Sequence, residues 1–112
     1  MTDAAKLARI FRALSADTRI RLVQLLKGRA LCVGALSARL GVTQGAVSQH
    51  LRVLRDAGLV VPEKRGYYVH YRLNDKTFAK WRSAAQQFLA TKPEKERRVV
   101  CDFRKRKENE DV

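Results

Sequence analysis

The 112 residues carry 24 Lys and Arg against 11 Asp and Glu, a net charge of +13, and 46% of the chain is apolar. That length and composition fit one globular domain with a modest core and exclude a disordered or fibrous chain. No run approaches the roughly 18 apolar residues of a membrane helix, no signal peptide is visible, and two cysteines cannot build a disulfide framework.

The charge is unevenly spread. Residues 1–91 hold 16 basic and 5 acidic side chains, a net +11, while residues 92–112 hold 8 and 6, a net +2. We therefore divide the chain into a folded unit over 1–91 and a charged tail over 92–112. A basic folded unit suits a nucleic acid, with an acidic membrane surface as the competing partner. Free thiols point to the cytoplasm.

Asp3 to Leu14 reads as a helix. Leu7, Ile10, Phe11 and Leu14 fall at i, i+3, i+4 and i+7 on one face. Asp17 is placed to cap a second helix, Thr18 to Lys27, and Gly28 to end it. Its apolar residues are Ile20, Leu22, Val23, Leu25 and Leu26. Two stripes this dense serve either the core together or, for one of them, a dimer interface. Ala30 to Val33 is a short apolar link, long enough for a brief strand.

The next stretch organises the chain. Gly34 to Leu40 and Thr43 to Ala57 read as two helices around a tight turn. Gly41 stands where a positive φ is needed to end the first of them. Thr43 can cap the second by accepting a free backbone N–H. Val47, Leu51 and Leu54 form its buried stripe. This is the pattern of a helix-turn-helix. Gln44, Gly45, Ser48, Gln49, Arg52 and Arg55 fall on the other side. Glutamine, serine and arginine pair with base edges in a major groove. Gly45 allows close backbone approach, and the opening turn has no carboxylate.

After Gly58 the period changes. Tyr67, Val69, Tyr71 and Leu73 alternate with Tyr68, His70 and Arg72, a strand pattern. Val60 to Lys64 is the partner strand, with Pro62 marking an edge or bulge, and Arg65-Gly66 the turn. A basic-tipped hairpin after a recognition helix is a wing. Lys64 and Arg65 would meet phosphates or the minor groove. Asn74 or Asp75 caps a last helix, Lys76 to Ala90, with Phe78, Trp81, Ala85, Phe88 and Leu89 on its apolar face. Beyond it, Val99, Val100, Cys101 and Phe103 are the only apolar cluster, and Lys105 to Val112 should be mobile.

Taken together, FRALSADTRIRLVQLL, ALCVGALSARLGVTQGAVSQHLRVLRDAGLV and RGYYVHYRL resemble the ArsR/SmtB family of bacterial winged-helix repressors over about Leu7 to Leu89. The resemblance implies a mainly α fold with a small β-hairpin wing, a winged helix-turn-helix. It also implies a homodimer through the first and last helices and a double-stranded operator with two half-sites. Base contacts would come from Gln44, Gly45, Ser48 and Gln49.

The sensing site departs from the family pattern. Arsenic-responsive members carry C-V-C-x-x-C, where this chain reads Cys32-Val33-Gly34-Ala35-Leu36-Ser37. Only the first thiolate is kept. The zinc-binding histidines of the last helix are missing, since no His occurs between Asp75 and Ala90. Cys32 and Cys101 remain as the sensing and tentative metal-binding pair, with Arg97, Arg98 and Arg104 favouring the Cys101 thiolate. Cys32 on an apolar link can equally be a small buried hydrophobe. His50 is expected to pack or hydrogen-bond, and His70 to be a polar strand residue. A cysteine-plus-histidine metal site is the lesser alternative for them.

No Gly-rich phosphate loop, HExxH, GxSxG or CxxC occurs, so an enzyme has little support. The sequence reads as a DNA-binding repressor released when an inducer acts on cysteine thiols. As(III), another soft metal, oxidation and persulfidation all stay open. The rival reading is a winged-helix protein-interaction module without sequence-specific DNA binding.

Overall fold

The computed structural model describes residues 3–90, Lys92 and Cys101. Five helices and three short strands follow in the order α1 (Ala4–Leu14), α2 (Asp17–Leu26), β1 (Leu31–Cys32), α3 (Val33–Leu40), α4 (Gln44–Asp56), β2 (Val60–Arg65), β3 (Tyr68–Leu73) and α5 (Asp75–Ala90). The fold is mainly helical, with one antiparallel sheet of order β1-β3-β2. The tail cluster of Val99, Val100 and Phe103, the arginines around Cys101 and residues 105–112 lie outside the described residues.

Local chemistry sets most of the boundaries. Asp3 caps α1 by accepting the Lys6 N–H at 2.8 Å. Thr43 caps α4 by accepting the Ala46 N–H at 3.1 Å. Asn74, rather than Asp75, caps α5 by accepting the Thr77 N–H at 3.3 Å. Asp17 does not cap α2. The N-cap position is Ala16, with no side-chain bond, and Asp17 is the first helical residue. Its carboxylate still suits that place, because it meets the positive end of the helix dipole. Thr43→Ala is expected to lower stability by about 1 kcal/mol through the lost cap, read as a shifted urea midpoint with an unchanged slope.

The end of α4 explains how the wing is launched. The Gly58 N–H donates to Arg55 O at 2.8 Å, and the Leu59 N–H donates to Leu54 O at 2.9 Å. This is a Schellman closure, and it needs the left-handed φ of +82° that Gly58 adopts. Leu54 and Leu59, the two side chains such a closure brings together, are both fully buried. Leu59 O then accepts the Asn74 N–H at 2.7 Å. The base of the hairpin is thereby tied where the recognition helix stops.

The core lies under the helix-turn-helix. Leu22, Val23 and Leu26 of α2, Leu36 and Leu40 of α3, and Val47, Leu51 and Leu54 of α4 pack with Leu59, Val60 and Leu73. Phe78 and Trp81 are half-buried against this cluster, so that part of the α5 stripe faces its own protomer. Farther along α5 the apolar residues emerge. Phe88 is 52% and Leu89 75% exposed, and the Phe88 ring sits 5.9 Å from that of Phe11, itself 37% exposed.

The hairpin register corrects the turn. Arg65 pairs with Tyr68, so the two-residue loop is Gly66-Tyr67 and not Arg65-Gly66. Gly66 has φ +64°, as a two-residue turn with glycine first requires. Tyr67 therefore stands at the tip, fully exposed, instead of continuing the strand. Pro62 sits opposite Tyr71 on the edge strand, and the register runs past it without a bulge. The apolar link becomes β1, with Leu31 opposite Tyr71 and Cys32 opposite His70.

Candidate nucleic-acid interface

Helix α4 divides cleanly. Val47, Leu51 and Leu54 are buried, while Gln44, Gly45, Ser48, Gln49, Arg52 and Arg55 are all exposed. Its first turn holds no acid, and Asp56 at the far end is its only carboxylate. Such a face offers hydrogen-bond donors and positive charge with nothing to repel a phosphate backbone. A Cβ added at Gly34 would lie 3.8 Å from the Gln44 Nε2, so the Gln44 amide rests over the start of α3.

Two further residues hold this helix in place. Ser37 donates its hydroxyl to Val42 O, which pins the turn between α3 and α4. Ser37, which stands where the arsenic-responsive pattern has its last cysteine, serves the turn through its hydroxyl. Arg19 of α2 reaches three groups. Its Nε donates to Ala13 O at 2.7 Å, Nη2 to Arg12 O at 3.3 Å, and Nη1 to His50 Nδ1 at 3.1 Å. Arginine has no acceptor, so His50 must accept here, and its ring carries a proton on Nε2 alone. The end of α1, α2 and the recognition helix are thus fastened through one guanidinium. His50 is a packing and hydrogen-bonding residue, as its place on α4 suggested. Arg19 had no signal in the sequence beyond being basic.

The wing presents both predicted cations, on opposite faces. Lys64 pairs with Val69, and Arg65 with Tyr68. Since alternate residues face opposite sides of a strand, Lys64 shares a face with Tyr71, and Arg65 shares one with His70. Both are exposed. Glu63, the only wing carboxylate, is bracketed by Arg65 at 3.2 Å and Arg72 at 3.5 Å. Tyr71 lines a shallow cavity with Ser48, Arg52 and Arg55, which joins the wing to the recognition helix. The tip tyrosines and Tyr71 were not anticipated as part of this surface. The two-residue spacing between Arg65 and Tyr68 was the available signal.

Arg65→Ala is expected to weaken binding to every duplex alike and to reduce the slope of log affinity against log salt by about 1, one phosphate contact. Affinity measured at several salt concentrations checks it.

Cys32 is the last residue of β1 and the N-cap position of α3, half-buried, with no side-chain cap bond. Cys101 is exposed. Both are free thiols. Among the described residues, no group of three or more His, Cys, Asp or Glu comes together to hold a metal ion. No helix of the described residues is long and apolar enough to cross a membrane.

An exposed polar and basic helix, set in a helix-turn-helix and followed by a hairpin, defines a winged helix-turn-helix regulator of transcription. The family model for bacterial regulatory proteins of the arsR family matches residues 16–61. The chain belongs to that family, whose members are DNA-binding transcriptional regulators rather than enzymes. It is 41% identical over 66 residues to the arsenical resistance operon repressor of Escherichia coli K12, covering 58% of this chain and 56% of that protein. A crystal structure of a possible transcriptional regulator for arsenical resistance matches at 39% identity with TM-score 0.66, over 73% of this chain and 85% of the other. The solution structure of a homodimeric winged helix-turn-helix domain from Mycobacterium bovis, a possible ArsR-family regulator, matches at 28% identity with TM-score 0.58, over 73% and 80%. The chain spans between half and two thirds of the length of the first curated relatives it matches.

Proposed function

We propose that this chain is a cytoplasmic, homodimeric repressor that binds a two-fold operator and is released when an inducer acts on Cys32 and Cys101. The observation that carries the reading is the α4 face, where Gln44, Ser48, Gln49 and Arg52 stand exposed with no acid among them. Gln44 and Gln49 match adenine edges, and Arg52 matches guanine or phosphate. Gly45 admits the backbone, while Lys64 and Arg65 hold the sugar-phosphate chain beside the helix.

The exposed patch of Phe11, Phe88 and Leu89 supports pairing of two protomers, since a monomer in water gains by covering it. The Mycobacterium bovis relative is described as homodimeric. Two recognition helices would then enter successive major grooves about 34 Å apart. The position of Cys32 supports the switch, because a bond formed at its sulfur acts on the first residue of the helix-turn-helix. Relatives are named for arsenical resistance, which makes As(III) the first inducer to test. Another soft metal, an oxidant and sulfane sulfur follow.

Gln49→Ala tests the DNA reading. It is expected to cost about 1–3 kcal/mol on the preferred duplex and far less on random duplex. Equal loss on both, or no loss on either, would reduce Gln49 to a solvated polar group.

A further inference from the structure

One guanidinium fastens the recognition helix to the first two helices. Arg19 Nη1 donates to His50 Nδ1 at 3.1 Å, while Nε and Nη2 hold Ala13 O and Arg12 O. Those two carbonyls belong to the last turn of α1. Of the three acceptors, only the imidazole can gain a proton near neutral pH. His50 is half-buried. It stands three residues after Val47 and four before Leu54, so it lies on the side of the buried stripe. The exposed row of Gln44, Ser48, Gln49 and Arg52 is elsewhere on the helix. A change at His50 therefore acts on how α4 is held, not on the groups that face DNA.

Helices α1, α2 and α3 and strand β2 pack on α4. Their carboxylates are Asp17 and Glu63, and α4 adds Asp56. Asp17 and Asp56 are exposed, and Glu63 is held by Arg65 and Arg72. None of the three pairs with His50. Besides Asp17 and Arg19, every charged side chain on α1, α2 and α3 is a cation: Lys6, Arg9, Arg12, Arg21 and Arg39. A charged imidazole would thus meet Arg19 with no carboxylate of the described residues paired to it.

We propose that Arg19 and His50 form an acid-sensitive latch on the recognition helix, so that protonation of His50 lowers operator affinity. A neutral ring accepts at Nδ1, whereas a charged ring donates from both nitrogens. Arginine only donates. A proton taken from solvent onto Nδ1 therefore breaks the bond and sets two cations against each other. Arg19 keeps its two carbonyls, and α4 loses this tie to α1 and α2. The apolar stripe still packs, so the helix stays folded while Arg19 no longer sets its tilt. The form that reads the operator holds a neutral His50, so proton and operator oppose each other by linkage. Affinity is full where the ring is neutral and falls as pH drops through the roughly pH 8 to 5 range in which imidazole takes its charge. The latch rests on α4 as the reading helix and does not involve the thiols.

The test measures the affinity of the full chain for the duplex it selects from a random pool and for random duplex, at one salt concentration. The two conditions are about pH 7.5 and about pH 5.5, towards either end of the imidazole range. Wild type should bind the selected duplex about 5-fold to 150-fold more weakly at the acid pH, the usual size of coupling between two sites. Random duplex should be bound at least as tightly, because added positive charge favours phosphate. His50→Gln offers Arg19 a carbonyl oxygen and takes no proton, so it should hold the selected duplex equally at both pH values. His70→Gln, at the only other histidine, and Cys32→Ser should respond to acid like wild type. Nitrogen NMR of the wild-type histidine rings needs no variant. It should show His50 protonated on Nε2 alone at the higher pH and on both nitrogens at the lower. A ring protonated on Nδ1 at the higher pH, a wild-type preference unchanged by acid, or an acid response kept by His50→Gln overturns the proposal. Helical circular dichroism lost in step with affinity also overturns it, since that is acid unfolding. No preferred duplex at either pH fails the α4 reading and the latch with it, whereas a preference that ignores pH fails the latch alone.

Discussion

Phe88→Glu is expected to yield a folded monomer that binds operator roughly 100-fold to 10,000-fold more weakly than wild type, the range that joining two binding modules provides. Phe88 is half exposed and lies against Phe11, beside the still more exposed Leu89. A carboxylate there costs the protomer little, because the side chain already borders water. In a dimer the same carboxylate would be buried without a partner, which is strongly unfavourable. Phe78 and Trp81 are the wrong places for this experiment, since they pack on the protomer's own core. Sedimentation and a binding isotherm on one duplex read both effects. A stable wild-type monomer at micromolar concentration that still binds a palindrome tightly contradicts the dimer.

The second large effect is loss of induction in Cys32→Ser with operator binding intact. Cys32 occupies the N-cap position of α3 but makes no cap bond. Serine is among the preferred N-cap residues, so the substitution removes the soft sulfur and keeps or improves the local fold. Any failure to respond is then chemical rather than structural. Cys101→Ser should also abolish the response if both thiols are engaged. A Cys101→Ser protein released like wild type would leave Cys32 acting alone. A Cys32→Ser protein released by As(III), oxidant or sulfane sulfur would end the thiol account altogether.

The helical half of the fold was legible because its signals are local. Asp3, Thr43, Asn74, Gly41 and Gly58 each act on backbone groups within a few residues, and the stripes of α1 and α4 repeat at the helical period. Asp17 misled because a carboxylate favours both the cap and the first turn of a helix, and the sequence does not separate them. The turn was misplaced by one residue because alternation runs on through Tyr67, whereas closure of the hairpin is decided by the positive φ of Gly66. Partnerships between distant segments left no local mark. The three bonds of Arg19, the pairing of Cys32 with His70 and the inward turn of Phe78 and Trp81 all depend on how the elements pack. The DNA-facing row of α4 was readable because it is the complement of a buried stripe.

Selection of bound duplexes from a random pool, followed by affinity measurement at one fixed salt concentration, tests the central claim most directly. The account predicts enrichment of a two-fold-symmetric site with half-sites about 34 Å apart, bound at least about 1,000-fold more tightly than random duplex. Gln44→Ala and Gln49→Ala should narrow that ratio, and Arg65→Ala should leave it unchanged. A pool that shows no enrichment, with all duplexes bound alike, contradicts the assignment of α4 as a helix that reads sequence.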